Sequence, residues 1–161
     1  MELLRVGVNE IKQLSEFASE VFVTYYDGLI GHEQATYMAD LFLSEKAISG
    51  LLEQGAVFKL LKEEDRLLGF TEYMIDGDRI FLSKLYVDQE ERSRGYGRIL
   101  FKDCKRYASE HGLHKIYLTV NKYNTPSYEI YLHLGFTVID AVVNDIGHGY
   151  VMDDYIMEYE F

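Results

Sequence analysis

One segment of the chain, residues 85–106, constrains the fold most, because it joins a strand to a helix through a loop with two glycines. The strand ends at Val87, and Gly95 and Gly97 lie just before the helix. The first turn of such a helix leaves backbone N–H groups unpaired and carries the positive end of the helix dipole. Seven of the chain's 16 basic residues lie in or directly before this segment. The sequence therefore predicts an anion site, with a pyrophosphate as the best candidate.

The same loop has other interpretations. A glycine-rich loop beside a solvated, basic helix face needs no ligand at all, and this alternative stays open. A dinucleotide-binding fingerprint would need a third glycine where Leu100 stands. A P-loop would need Gly-Lys followed by Ser or Thr, which the segment lacks. Both of these nucleotide-binding motifs are excluded.

The first third of the chain predicts a short strand and then helices. Residues 3–8 indicate the strand, and apolar residues at helical spacing predict a helix over residues 11–25 with Asn9 as its N-cap. Gly28 is expected to interrupt this helical pattern. Two further helices should follow, the second of them capped by Ser44.

The rest of the chain predicts mostly strands. Residues 57–87 indicate three strands joined by tight turns, and Asp76-Gly77 is typical of a hairpin. After the glycine-loop helix come a strand over residues 116–120, a helix started by Pro126 and two closing strands. No linker or repeat divides the chain, so we expect one domain over residues 1–161 with a mixed sheet covered by helices.

Composition excludes several classes of protein. With 16 basic and 27 acidic side chains the formal net charge is −11, which argues against a nucleic-acid partner. No stretch approaches the roughly 20 apolar residues of a membrane helix, and no signal peptide is visible. The single cysteine excludes an internal disulfide and suits a cytoplasmic location. The five histidines have no companions at metal-ligand spacing, so no metal is expected.

Two motifs carry a family resemblance. Arg92-x-x-Gly95-x-Gly97 resembles the acyl-CoA pyrophosphate loop of the GNAT superfamily of N-acetyltransferases, Q/R-x-x-G-x-G/A. Residues 118–136, LTVNKYNTPSYEIYLHLGF, are similar to the second family signature of a strand, Asn, a small residue, Tyr and Gly-Phe. The motifs have the family's order and separation, and the chain's ending resembles that of small bacterial amine and polyamine acetyltransferases. The resemblance implies an α/β (α+β) fold with a mixed, mostly antiparallel central sheet of about seven strands and helices on both faces.

The resemblance also implies acetyl-CoA as co-substrate. Backbone groups of Leu85 and Val87 would hydrogen-bond the pantetheine arm, amides of residues 92–98 would hold the pyrophosphate, and Asn124 would contact the pantetheine or adenosine portion. Tyr131 would protonate the departing thiolate, although an aromatic residue packed in the core is the alternative. The residues expected to bind the cofactor are Leu85, Tyr86, Val87, Arg92, Ser93, Arg94, Gly95, Tyr96, Gly97, Arg98, Asn124 and Tyr131.

A base for the acceptor amine is harder to assign. Many relatives carry Glu on the fourth strand near Ser83, but here Ser83 is followed by Lys84, and neither is a natural base. Glu72 on the preceding strand is the candidate, with Tyr73 next in line. The alternative is a solvated Glu72, because alternation alone does not fix which face of the strand it occupies.

The expected function is transfer of an acetyl group from acetyl-CoA to a primary amine, by direct attack in a ternary complex. Residues 140–161 contain six acidic and no Lys or Arg side chains, which would attract a small, cationic, polyamine-like acceptor. N-acetylation of a protein or peptide, and a non-catalytic acyl-CoA-binding regulatory module, are the alternatives. Phe22, Tyr25 and Tyr26 are expected in the core, with an acceptor pocket as the alternative. The resemblance further implies a homodimer, and no nucleic-acid or membrane partner is expected.

Overall fold

The structure, a computed structural model, describes all 161 residues and contains one seven-stranded sheet and five α-helices. In chain order the elements are β1 Glu2–Arg5, α1 Ile11–Ile30, α2 His32–Leu43, α3 Glu45–Glu53, β2 Val57–Glu63, β3 Arg66–Asp76, β4 Arg79–Val87, α4 Tyr96–Glu110, β5 Lys115–Asn121, α5 Thr125–Leu134, β6 Thr137–Gly147 and β7 Tyr150–Glu160. None of the helices combines the length and apolar character needed to span a bilayer.

The sheet has the order β1-β2-β3-β4-β5-β7-β6, and only the β4–β5 pair is parallel. Helices α1, α2 and α3 pack over Phe58 and Phe70 on one face, which we call the α1 face. Helices α4 and α5 pack over Ile80, Ile116 and Met157 on the opposite face, which we call the α4 face. This arrangement confirms the predicted mixed, mostly antiparallel sheet of seven strands with helices on both faces.

Several local predictions are confirmed. Strands β3 and β4 form a hairpin in which Asp76 pairs with Arg79, and Gly77 adopts the positive φ of 62° that such a turn requires. Ser44 caps α3, where its Oγ accepts a hydrogen bond from the Ala47 N–H at 3.1 Å. These short-range signals succeed because a turn or cap depends on only three or four neighbouring residues.

Helix α1 differs from its prediction at both ends. A 3-10 turn precedes it, so Glu10 rather than Asn9 stands at the cap position. The helix also continues through Gly28 and ends only at Gly31, whose φ is 89°. A glycine inside a helix costs about 1 kcal/mol relative to alanine. Packing of the last turns on the core, through residues such as Ile30, offsets that cost.

Strands β4 and β5 separate in the middle of the sheet. They pair only at Ile80 with Ile116 and at Phe81 with Tyr117, near the start of both strands. Just beyond, Ser83 is an extra residue of β4 relative to β3, which makes a β-bulge. A bulge bends a strand and increases its twist, and here it lies where β4 departs from β5. The resulting gap, between the second halves of the two strands, positions the site described below.

Candidate active site

The loop of residues 92–98 lies at the open end of the gap, directly after β4. Ser93 and Gly95 both have positive φ, 65° and 83°, and Gly95 is the N-cap of α4. No side chain caps this helix, so the N–H groups of its first turn remain available to a ligand. Tyr96 anchors the loop, because its ring is buried against Leu68 and Leu100. The loop therefore has the predicted strand, glycine-loop and helix arrangement, and anion binding by it stays a prediction.

The three arginines of the loop have different surroundings. Arg94 forms an ion pair with Glu91 at 3.2 Å, and Arg66 pairs with the same carboxylate at 3.1 Å. Arg92 lies over the ring of Tyr25, 4.7 Å from its centroid. Arg98 forms no ion pair within the protein, so its charge is free to meet an anion.

Asn124 lies on the opposite side of the gap, at the start of α5. Its side chain is 4% exposed, and Oδ1 accepts hydrogen bonds from the Tyr25 hydroxyl at 2.8 Å and from the Ser127 N–H at 3.4 Å. Tyr25 also contacts the Ser127 hydroxyl. Asn124 is thus the N-cap of α5 and ties it to α1 through Tyr25, and hydrogen bonding by its side chain also lowers the pKa of Tyr26. A cleft of about 310 Å³ opens beside it, between α1, Arg92 and Pro126.

Four tyrosines meet in the gap, from three different elements. The hydroxyl groups of Tyr26 on α1 and Tyr86 on β4 are 3.1 Å apart, and Tyr25 packs on both rings. Loss of hydration on burial raises the pKa of Tyr86 well above its usual value and that of Tyr26 to about 12. Tyr131 is the fourth member. We call these residues the tyrosine cluster.

Tyr131 reaches the gap from α5, on the α4 face. Burial raises its pKa, and the nearby Tyr26 and Tyr25 raise it further, so the phenol is protonated at neutral pH. Its ring packs edge-on against Phe136, with the centroids 5.6 Å apart. No hydrogen bond of the protein engages its hydroxyl. The ring is thus packed in the core, as the alternative expected, while the hydroxyl is free, and the proton-donor role stays a prediction.

Glu72 is not a solvated strand residue. It is 2% exposed and lies directly opposite Lys84, whose ammonium forms an ion pair with its carboxylate. The Lys84 ammonium also donates to the Ser83 hydroxyl at 3.1 Å. Tyr73, the second candidate for the base, lies on the α4 face, where its hydroxyl donates to Asp103 at 2.6 Å. Both candidates are thus already engaged by other side chains.

Asp154 on β7 was missed as a candidate by the sequence interpretation. The residue is 4% exposed, and no hydrogen bond or ion pair of the protein engages its carboxylate. Burial raises its pKa to about 6; Asp153 also raises it, while Lys122 lowers it. The available signal was the Asp153-Asp154 pair inside a strand, because two consecutive residues face opposite sides of the sheet.

Known proteins resemble this chain in sequence and in fold. The model of the acetyltransferase (GNAT) family matches residues 13–136. The curated spermidine N(1)-acetyltransferase of Thermoplasma acidophilum is 21% identical over 150 residues, which cover 90% of this chain and 93% of that protein.

Two solved structures share the whole fold. The PaiA N-acetyltransferase of Thermoplasma acidophilum in complex with coenzyme A has a TM-score of 0.84 at 22% identity, covering 99% of this chain and 98% of that one. A GCN5-related N-acetyltransferase of Rhodopseudomonas palustris has a TM-score of 0.83 at 14% identity, covering 99% and 95%. Since the family model spans most of the sequence, the chain belongs to the GNAT family of acetyltransferases.

Proposed function

We propose that this acetyltransferase transfers the acetyl group of acetyl-CoA to a primary amine of a small, cationic, polyamine-like acceptor, by direct attack in a ternary complex. The observation that carries the proposal is the gap between β4 and β5, which combines an uncapped helix N-terminus with a cluster of protonated tyrosines and a buried carboxylate. The spermidine acetyltransferase and the coenzyme A complex among the similar proteins support the choice of the two substrates.

The chain's own groups fit coenzyme A. The free amides of residues 95–98 suit the pyrophosphate, and Arg98 adds an unpaired positive charge. Leu85, Tyr86 and Val87 pair with β3 on one side only, so the edge of β4 that faces the gap has backbone groups for an extended pantetheine arm. Asn124 lines the cleft beside Arg92, and we assign its side-chain amide to this arm.

Tyr131 is assigned as the proton donor to sulfur. Attack of the amine on the thioester carbonyl forms a C–N bond, and breaking of the C–S bond releases a thiolate that needs a proton. The raised pKa of Tyr131 makes a free tyrosinate unfavourable. The phenol therefore gives its proton to sulfur while it receives one from the newly acylated nitrogen, and it stays neutral throughout.

The acceptor is inferred from charge. Six acidic and no Lys or Arg side chains occur over residues 140–161, which form the β6–β7 hairpin beside the gap. Asp140 and Asp145 are exposed on this hairpin, so they raise the local concentration of a polycation. The proposal also includes a cytoplasmic location and a homodimer, and light scattering on the purified protein measures the second.

An acceptor panel tests the proposal. The purified protein receives acetyl-CoA with spermidine, spermine, putrescine or short peptides with free N-termini and lysines; released thiol and product mass are recorded. We expect acetylated polyamines with kcat/KM at least tenfold above any peptide. A preference for peptides would overturn the acceptor class, and coenzyme A binding without thiol release for any amine would overturn the activity.

A further inference from the structure

We propose that Asp154 is the general base of the reaction, the carboxylate that takes the proton from the acceptor's ammonium group. This inference rests on the proposed function, because it needs an amine acceptor. It assigns the base to β7, on the other side of the gap, instead of to Glu72 or to a residue of the fourth strand.

The register of β7 places Asp154 beside the gap. It pairs with Asn121, the last residue of β5. This second half of β5 no longer pairs with β4. Alternation along β7 separates Met157, which is buried under α4 and α5, from Met152, which packs with α1 and α2. Asp154 shares the α1 face with Met152.

The carboxylate of Asp154 lacks the partners that a buried acid normally has. Buried side chains of this kind are usually paired or hydrogen-bonded, because an unpaired buried charge is costly. Asp103, the other buried aspartate, shows the contrast: Tyr73, Lys59 and Arg106 all bind it. Asp154 has no such contact although it is 4% exposed. A group held in this state is free to accept a proton from a ligand.

The groups around Asp154 tune it for this task. Its charge contributes to the raised pKa of Tyr26, which shows that it lies close to the tyrosine cluster. Its own pKa, raised by burial to about 6, leaves it ionised at neutral pH but a stronger base than an exposed aspartate. The ionisable side chains whose charges act on Asp154, or on which its charge acts, are Asp153, Lys122 and Tyr26.

Glu72 is less suited to the same role. Its carboxylate is bound by the ammonium of Lys84, which it lies directly opposite. A proton placed on Glu72 would break this buried ion pair and leave Lys84 charged without a partner, which is a large cost. Asp154 has no such penalty, because protonation removes an uncompensated charge.

The proton balance closes without a further reactant. The acceptor arrives as R–NH3+ and gives one proton to Asp154, and the resulting R–NH2 attacks the thioester carbonyl carbon. The C–N bond forms, the C–S bond breaks, and the second proton of the nitrogen reaches sulfur through Tyr131. Asp154 then releases its proton to solvent, so that R–NH3+ and acetyl-CoA give the amide, CoA–SH and H+.

The test compares Asp154→Asn with Asp153→Asn, which removes the same charge from the neighbouring residue on the opposite face of the strand. The rate constant kcat/KM for spermidine is measured from pH 5 to pH 9, and the Kd of coenzyme A is measured by calorimetry. Asp154→Asn should lower kcat/KM about 10²–10⁴-fold at pH 7.5. It should also abolish the rise in activity near pH 6 and leave the Kd of coenzyme A unchanged. Asp153→Asn should keep most of the activity and move the rise to lower pH, because Asp153 raises the pKa of Asp154.

The outcomes distinguish failure of the Asp154 assignment from failure of the proposed function. A wild-type pH profile in Asp154→Asn, or a wild-type enzyme without the rise near pH 6, would overturn the assignment of Asp154 alone. The pH profile of the wild-type enzyme needs no variant, so this test remains valid even if Asp154→Asn fails to fold. A wild-type protein that acetylates no amine would overturn the proposed function and this inference together.

Discussion

Glu72 and Lys84 show how a single buried pair shapes this site. Their side chains are 3% and 10% exposed, and they are joined across the β-bulge at Ser83. Hydrogen bonding to Ser83 and the aromatic ring of Phe42, 6.0 Å from the ammonium, further hold Lys84 on the α1 face. Such a pair is costly to desolvate but even more costly to break, so it fixes the local register rather than adding much net stability.

Glu72→Gln should therefore destabilise the protein by roughly 3–5 kcal/mol, because it leaves the Lys84 ammonium buried without a counter-charge. Urea unfolding measures the effect. The double variant Glu72→Gln with Lys84→Met removes both charges and should recover most of the loss. Equal stability of the single variant and the wild type would show that the pair is not closed in solution.

Asp154 should have the opposite effect on stability. Its pKa is raised from 3.8 to about 6 on folding. The stabilisation of the folded state by the protonated carboxyl group is therefore fully present below pH 4 and is lost as the pH rises through 6. The difference corresponds to at most roughly 3 kcal/mol of destabilisation at pH 8. Asp154→Asn should thus raise the free energy of unfolding at pH 8 and not at pH 4. Equal gains at both values would contradict the raised pKa.

Tyr131→Phe tests the proton donor. Its hydroxyl has no hydrogen-bond partner in the protein, so its loss should leave the Tm nearly unchanged. The kcat should fall about 10²–10⁴-fold while the KM for acetyl-CoA stays near the wild-type value, since the hydroxyl acts only in the transition state. A folded variant with wild-type kcat would remove Tyr131 from the mechanism.

At the scale of elements, the N-terminus of α4 and the end of β4 form one unit. Gly95 provides the left-handed turn with a φ of 83°, and this backbone conformation would be strained for any other residue. Gly97 has no such backbone constraint, and a Cβ there would meet only Leu85 Cδ2, at an ordinary 3.7 Å. The fold itself does not require glycine at this position. We propose instead that close approach of a ligand to the first turn of α4 requires it.

Gly97→Val should consequently fold normally and bind coenzyme A at least tenfold more weakly by calorimetry. Gly50→Val is the matched control, because Gly50 lies in helix α3 and a Cβ there would meet no neighbouring element within 4 Å. It should leave the Kd unchanged. Unaltered affinity in Gly97→Val would argue that the pyrophosphate binds elsewhere.

At the scale of the whole molecule, the sheet consists of two parts that meet at a narrow seam. Strands β1 to β4 lie on one side and β5 to β7 on the other, and only two residue pairs join them across β4 and β5. Helix α4 connects the parts along the chain, while the bond from Tyr25 to Asn124 ties α1 to α5. A ligand inserted between β4 and β5 would complete this seam as an added strand.

The sequence predicts those features that depend on contacts between neighbouring residues. It does not predict those that depend on contacts between residues far apart in the chain. The hairpin at Gly77, the cap at Ser44 and the loop around Gly95 depend on near neighbours, and they were predicted. The hydroxyl contact between Tyr26 and Tyr86 joins residues 60 positions apart. The face of Asp154 depends in turn on the register of β7 against β5. Those features follow from tertiary packing, which no local pattern specifies.

We propose that acetyl-CoA and a polyamine meet in the gap between β4 and β5. A bisubstrate compound, in which the sulfur of coenzyme A is joined through an acetyl bridge to a terminal nitrogen of spermidine, tests it in one calorimetric titration. Linking two ligands that bind side by side raises the effective concentration of the second, so this compound should bind about 10²-fold or more tightly than coenzyme A alone. An affinity no higher than that of coenzyme A would contradict the claim, because the two sites would then not meet.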